Sequence, residues 1–175
     1  ATGGVGSSLI QIARAFGATP IVAIDVRTDK LAIARQLGAS HVIDAHQEDV
    51  TARIREITDG RGVDVAFEAL GRPETFIQAL SVVRDGGRAV MVGIAPAGMT
   101  APVEITRIVR RGIRIIGSYG ARPRIDLPSV LKLVEQGYLD AERAVSRRYS
   151  LDEVNTAYQA LNRGEIVGRA LVVIQ

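Results

Sequence analysis

Ala1-Thr2-Gly3-Gly4-Val5-Gly6-Ser7-Ser8-Leu9-Ile10-Gln11-Ile12-Ala13 is a glycine-rich turn running directly into an apolar helix. The first N–H groups of a helix have no intrahelical partner, and the macrodipole adds partial positive charge there. Such an end suits an anion like a pyrophosphate. Glycines serve the turn by adopting positive φ and by letting the backbone approach a phosphate closely. Alone, a glycine run is a weak signal. Its weight comes from Asp25, about 20 residues on, at the end of the apolar run Pro20-Ile21-Val22-Ala23-Ile24. A dinucleotide-binding unit places there the carboxylate that accepts from the adenosine ribose hydroxyls. That unit normally begins with a strand feeding the turn, and this chain begins inside the turn. The expectation is a Rossmann sheet lacking its first strand, in a piece of a longer polypeptide.

The 175 residues can bury one good core. Trp is absent and aromatics are scarce, and the abundant small residues suit a parallel sheet covered by helices on both faces. There is no cysteine, which excludes a disulfide frame and a Cys-ligated metal site within these residues. No apolar run approaches a membrane span, so a cytoplasmic protein without membrane partners is expected. The net charge of +3 is carried almost wholly by arginine. The densest basic run, Arg107-Ile108-Val109-Arg110-Arg111-Gly112-Ile113-Arg114, has no interleaved aromatics and reads as a solvated helix end rather than a nucleic-acid patch.

Periodicity predicts a helix from Ser7 to Phe16 with Leu9, Ile12 and Ala13 facing the sheet, then a strand over Ile21–Ile24. Further helices follow from Thr28 or Asp29 to Leu37, around Val50–Ile57, from Pro73 to the break at Asp85-Gly86-Gly87, and around Val103–Val109. Strands alternate with them at 41–43, 63–67, 88–92 and 113–116. This rhythm predicts a doubly wound α/β sheet over residues 1–120. After Gly117 the rhythm changes. One helix carries Leu127, Val130, Leu131 and Val134. A capping box at Ser150 and Glu153 opens another, with Val154, Ala157, Tyr158 and Leu161 on one face, and a strand closes the chain over 168–174. Residues 121–175 therefore look like a return into another domain.

These residues resemble the cofactor-binding part of a medium-chain dehydrogenase/reductase, the superfamily of zinc-dependent alcohol dehydrogenases and quinone reductases. The resemblance rests on the opening turn, Ala23-Ile24-Asp25 with Lys30, and Asp64-Val65-Ala66-Phe67-Glu68-Ala69-Leu70-Gly71. It extends through Val90-Met91-Val92-Gly93, Ile115-Ile116-Gly117-Ser118, and the tail from Ser150 to Arg169. It implies a Rossmann domain with a C-terminal return segment of a GroES-like catalytic domain, whose N-terminal part, holding any catalytic zinc, lies outside this chain. By resemblance, Gly3, Gly4, Val5 and Gly6 face the pyrophosphate, Asp25 binds the ribose with Lys30 nearby, and Arg169 reaches the pyrophosphate from the tail. Ala69, Leu70 and Gly71 lie against the cofactor, Val92, Gly93 and Ile94 pack beside the nicotinamide, and backbone groups of Arg114 and Ile116 hold its carboxamide. The family's first turn glycine is Ala1 here, and an Ala-x-Gly-Gly-Val-Gly turn resembles the zinc-free quinone reductase branch as much as the zinc alcohol dehydrogenases.

His41 and His46, the only histidines, read as ordinary surface or loop residues, and Glu68 as a structural hydrogen-bonding group. No catalytic residue and no metal ligand is assigned. The expectation is an NAD-dependent oxidoreductase acting on a small alcohol or carbonyl substrate, inactive as this piece alone. As a whole protein it is expected to be a homodimer or homotetramer joined through the strand at 113–117. The alternatives are an NADPH-dependent, zinc-free quinone or enone reductase, and a non-catalytic nucleotide-binding module.

Overall fold

The computed structural model describes residues 2–174, so the reading placed on Ala1 lies outside the described residues. The chain opens with α1 (Gly4–Ala15), β1 (Val22–Asp25), α2 (Thr28–Leu37) and β2 (His41–Asp44). It continues with α3 (Val50–Ile57), β3 (Val63–Glu68), α4 (Pro73–Val82), β4 (Val83–Met91), α5 (Ile105–Arg111) and β5 (Arg114–Gly117). The last elements are α6 (Pro123–Glu135), β6 (Val145–Ser150), a short 3₁₀ turn (Leu151–Glu153), α7 (Val154–Asn162) and β7 (Arg169–Val173). Every ladder is parallel: β1 with β2, β3–β4–β5 in that order, and β6 with β7. Each parallel neighbour is reached through a helical crossover, which is the Rossmann-type α/β arrangement. None of the helices is long and apolar enough to cross a membrane, among the described residues.

The chain divides into two compact units. The first takes the residues up to His46 together with those from Arg122 onward; the second is Gln47–Ala121.

In the first unit, Ile10, Ala23, Ala34, Leu37 and Ala39 form the core, with Ile21, Ile33 and Val42 packed against it. Ala34 is fully buried, and α2 ends at Gly38 in the left-handed conformation that glycine adopts without a Cβ penalty. The helix α1 begins at Gly4, three residues earlier than periodicity suggested, because Gly3 already acts as its extended N-cap with φ −70° and ψ 175°. The glycine turn therefore does not use positive φ at Gly3. The buried stripe of α1 is Ser7, Ile10 and Gln11, not Leu9, Ile12 and Ala13. Gln11 goes inward because its Oε1 accepts from the Asp140 backbone N–H at 2.9 Å, satisfying a polar group that burial would otherwise penalise.

The tail contains a strand that the sequence pattern hid. Ser146-Arg147-Arg148 gives β6 no apolar alternation, and only Val145 and Tyr149 are half-buried. Its partner is β7, in register from Val145↔Arg169 to Ser150↔Val173. The expected capping box forms: Glu153 Oε2 accepts from the Ser150 N–H at 2.8 Å and from its hydroxyl at 2.9 Å. In α7 the buried residues are Ala157 and Ala160. Tyr158 and Leu161, which periodicity puts on one face with Ala157, are exposed.

In the second unit, Leu80, Val83, Ala89 and Ile113 form the core, flanked by Val63, Ala66, Phe76, Met91 and Val103. Asp49 caps α3 by accepting from Thr51 and Ala52 N–H at 2.8 and 3.0 Å. The helix α4 stops at Val82, and Val83 passes straight into β4. Asp85-Gly86-Gly87 is thus an irregularity inside β4 rather than a helix end, with the register jumping between Val63↔Val83 and Val65↔Arg88. Glycine is required there: a Cβ on Gly87 would stand 2.6 Å from Val83 Cγ1. The strand β5 lies at the end of its ladder, and all four of its residues are exposed.

Candidate functional site

The residues singled out by sequence fall into two groups, one in each unit. In the first unit, three separate pieces of chain are tied together at the start of α1. Thr2 is fully buried; its hydroxyl donates to Lys30 O at 3.2 Å, and its carbonyl accepts from Gly168 N–H at 2.8 Å. Gly3 and Gly168 form an isolated parallel bridge. The tail is held from its other side by Arg169 N–H donating to Ala144 O at 2.7 Å.

This places Arg169 against the opening turn. A Cβ on Gly4 would lie 3.3 Å from the guanidinium carbon of Arg169, from its Nη1, and from Gly168 O. Gly4 therefore provides the close approach, whereas a Cβ on Gly3 would meet nothing within 4 Å. Gly6 continues the first turn of α1, and Val5 is exposed on it. That first turn contains no acidic residue and has no side-chain cap. A guanidinium and the positive end of a helix dipole thus share one corner, and no carboxylate pairs with Arg169 among the described residues. Such a corner can hold an anion through charge-assisted hydrogen bonds.

Asp25 ends β1 beside Asp44 of β2 in register. Its Oδ1 accepts from Val26 N–H at 2.8 Å and from Arg27 N–H at 3.2 Å, which fixes the turn into α2. Lys30 is near enough for its charge to act on Asp25. Arg27 is committed elsewhere: its Nε and Nη2 donate to both oxygens of Asp29 at 3.0 and 2.6 Å, and its Nη1 to Gly164 O at 2.8 Å. These hydrogen bonds hold the Asp29 carboxyl below its ordinary pKa.

In the second unit, the carboxyl ends of β3 and β4 meet backbone to backbone. Glu68 is buried, and its Oε1 accepts from Leu70 N–H at 2.7 Å, Gly71 N–H at 2.9 Å and the Thr75 hydroxyl at 2.8 Å. Its own carbonyl accepts from Val92 and Gly93 N–H at 2.8 and 3.1 Å. The structural role read for Glu68 is thus the one its partners define. Gly71, at φ +79°, would bring a Cβ within 2.5 Å of the Ile94 backbone. Ala69, Leu70 and Ile94 stay exposed at this end, the end at which open parallel sheets bind ligands. Arg114 and Ile116 lie along β5, paired in register with Arg88 and Val90. The one residue whose importance the sequence understated is Thr2, whose burial and two hydrogen bonds organise the first corner.

His41 Nδ1 is 3.1 Å from the Ser40 hydroxyl at the start of β2. The chain has no cysteine, and no three His, Asp or Glu side chains cluster to hold a metal ion among the described residues. These described residues do not fit a zinc site.

The model of the family described as zinc-binding dehydrogenase matches residues 4–136. Sorbitol dehydrogenase of Bacillus subtilis (strain 168) is 33% identical over 157 residues, which are 90% of this chain and 44% of that enzyme. The crystal structure of benzyl alcohol dehydrogenase from Acinetobacter calcoaceticus superposes with a TM-score of 0.91 at 32% identity, covering 98% of this chain and 48% of that one. A zinc-binding dehydrogenase structure from Sinorhizobium meliloti 1021 bound to NADP matches with a TM-score of 0.84 at 28% identity, over 99% and 49% of the two chains. The chain spans about half the length of these relatives. Family model, sequence relatives and fold agree, and the chain belongs to the zinc-binding dehydrogenase family, within the medium-chain, alcohol-dehydrogenase-like superfamily.

Proposed function

We propose that this chain is the NAD-binding portion of an oxidoreductase that moves hydride between an alcohol or carbonyl substrate and nicotinamide. The observation that carries this reading is the Arg169 guanidinium set against Gly4 at the acid-free start of α1. The amides of Gly4, Val5 and Gly6, with Gly3 leaving the approach open, would hold the pyrophosphate together with Arg169. Asp25 would accept from the ribose hydroxyls, with the Lys30 charge beside it. Ala69, Leu70 and Gly71, kept in place by Glu68, would border the cofactor, and Val92, Gly93 and Ile94 would pack beside its nicotinamide. Backbone groups of Arg114 and Ile116 would orient the carboxamide. The nicotinamide, when bound, supplies the hydride chemistry, and this chain's residues bind and orient it. No residue of the chain is assigned as a catalytic acid, base or nucleophile.

The reading divides the chain by role into a nucleotide-binding part, residues 1–120, and a tail, 121–175, that returns toward a catalytic domain. It includes a homo-oligomer joined through β5. That strand offers an open ladder edge with the apolar Ile115 and Ile116 exposed, and pairing with a second copy about a two-fold axis would satisfy it.

The second reading is NADPH dependence, favoured by the NADP-bound relative. The side chains at the end of β1 argue against it. Asp25 would repel a 2′-phosphate, and Arg27, which could accept one, is engaged by Asp29 and Gly164. Calorimetric titration of the protein with NADH and NADPH tests the choice. NADH is expected to bind at least about tenfold more tightly, the equivalent of about 1.4 kcal/mol. Equal or tighter binding of NADPH would overturn the NAD reading.

A further inference from the structure

Three arginines of the basic run that reads as a solvated helix end, Arg107, Arg110 and Arg111, are joined by a fourth from another element. In the second unit, Arg107, Arg110 and Arg111 of α5 and Arg55 of α3 line an open cleft of about 290 Å³. Glu104 is its one acidic wall, and Thr106 adds a hydroxyl. A pocket of about 120 Å³ shares Arg55 and Arg111 with it and is floored by residues around Gly62 and Val82.

Two of the guanidiniums are held in place without being neutralised in full. Arg107 Nη2 donates to Ser81 O at 2.8 Å, and Arg111 Nη2 donates to Val83 O at 2.9 Å while its Nε pairs with Asp85. A carbonyl orients a guanidinium but leaves its charge. Arg107 Nε is buried with no hydrogen-bond partner, and Arg55 and Arg110 have no ion pair among the described residues. Four cations therefore face one carboxylate in the cleft wall and one at Arg111. Guanidiniums that line one cleft repel one another. The arrangement is relieved by an anion with several acceptor oxygens, for which the planar fork of arginine is matched.

We propose that this cleft binds the phosphate group of a small phosphorylated molecule, at residues separate from those assigned to the cofactor. Neither pocket is lined by an aromatic side chain, which favours a small ligand over a nucleic-acid strand held by stacking. The test is calorimetric titration with inorganic phosphate and with glycerol 3-phosphate, in the presence of saturating NADH to occupy the α1 corner, on the wild type and on an Arg55→Gln/Arg110→Gln double variant. Both substituted arginines of the double variant are exposed, so the fold is retained, as circular dichroism will report. Saturable binding is expected, weakened at least tenfold in the double variant. Tighter binding of glycerol 3-phosphate identifies an ester as the ligand, and equal binding identifies free phosphate; each supports the site. The proposal is overturned by no saturable binding to the wild type or by wild-type affinity in the double variant. Displacement of phosphate by a single-stranded oligonucleotide of higher affinity overturns it equally.

Discussion

Gly93→Ala is expected to destabilise the second unit by about 3 kcal/mol, the upper end of what overpacking a tight site costs. The added Cβ would stand 2.1 Å from Gly71 N, 2.6 Å from Leu70 N and 2.7 Å from Glu68 Oε2. Two of those neighbours are backbone atoms that cannot rotate away as a side-chain tip does. Moving them would pull Leu70 and Gly71 N–H off the buried Glu68 carboxylate, which holds them at 2.7 and 2.9 Å. A carboxylate left buried without donors adds its own desolvation penalty. Gly3→Ala is the matched control, since its Cβ would meet nothing within 4 Å and its φ of −70° suits any residue. Urea denaturation checks both. A Gly93→Ala midpoint equal to wild type would contradict the tight junction between the ends of β3 and β4.

Arg169→Ala is expected to weaken NADH binding by about ten- to a hundredfold while leaving stability nearly unchanged. The side chain is exposed and the β6–β7 ladder uses backbone groups alone, so little of the fold depends on it. Charge-assisted hydrogen bonds are worth about 1.5–3 kcal/mol each, and every 1.4 kcal/mol is about tenfold in affinity. The Gly4 amide and the α1 dipole would remain to hold a phosphate, so binding is reduced rather than abolished. Fluorescence titration with NADH reads the effect. Wild-type affinity in the variant would remove Arg169 from the proposed pyrophosphate site.

Local chemistry made much of this legible in the sequence. Alternation of strand and helix gave the parallel α/β class, and the capping box at Ser150 and Glu153 formed as its spacing implied. Elements whose cues come from partners distant in sequence were harder to read. The strand β6 exists because β7 pairs with it, while Ser146, Arg147 and Arg148 conceal it. The inward turn of Gln11 depends on Asp140, 129 residues away. The glycine run misled in one respect, because it suggests positive φ where Gly3 is extended and Gly4 supplies room for Arg169. In the same way Asp85-Gly86-Gly87 reads as a helix end, yet the β-branched Val82-Val83 pair has already turned the chain into β4.

The central claim is that the first turn of α1 and the Gly168–Arg169 segment together hold the pyrophosphate of NADH. Amide hydrogen exchange with and without saturating NADH tests it directly, because amides that bond a bound phosphate are slowed. Protection is predicted at Gly4, Val5 and Gly6, with a smaller effect at Gly168 and Arg169, whose amides already donate to Thr2 O and Ala144 O. NADH bound, as seen by fluorescence, with exchange at the α1 amides unchanged would contradict the account.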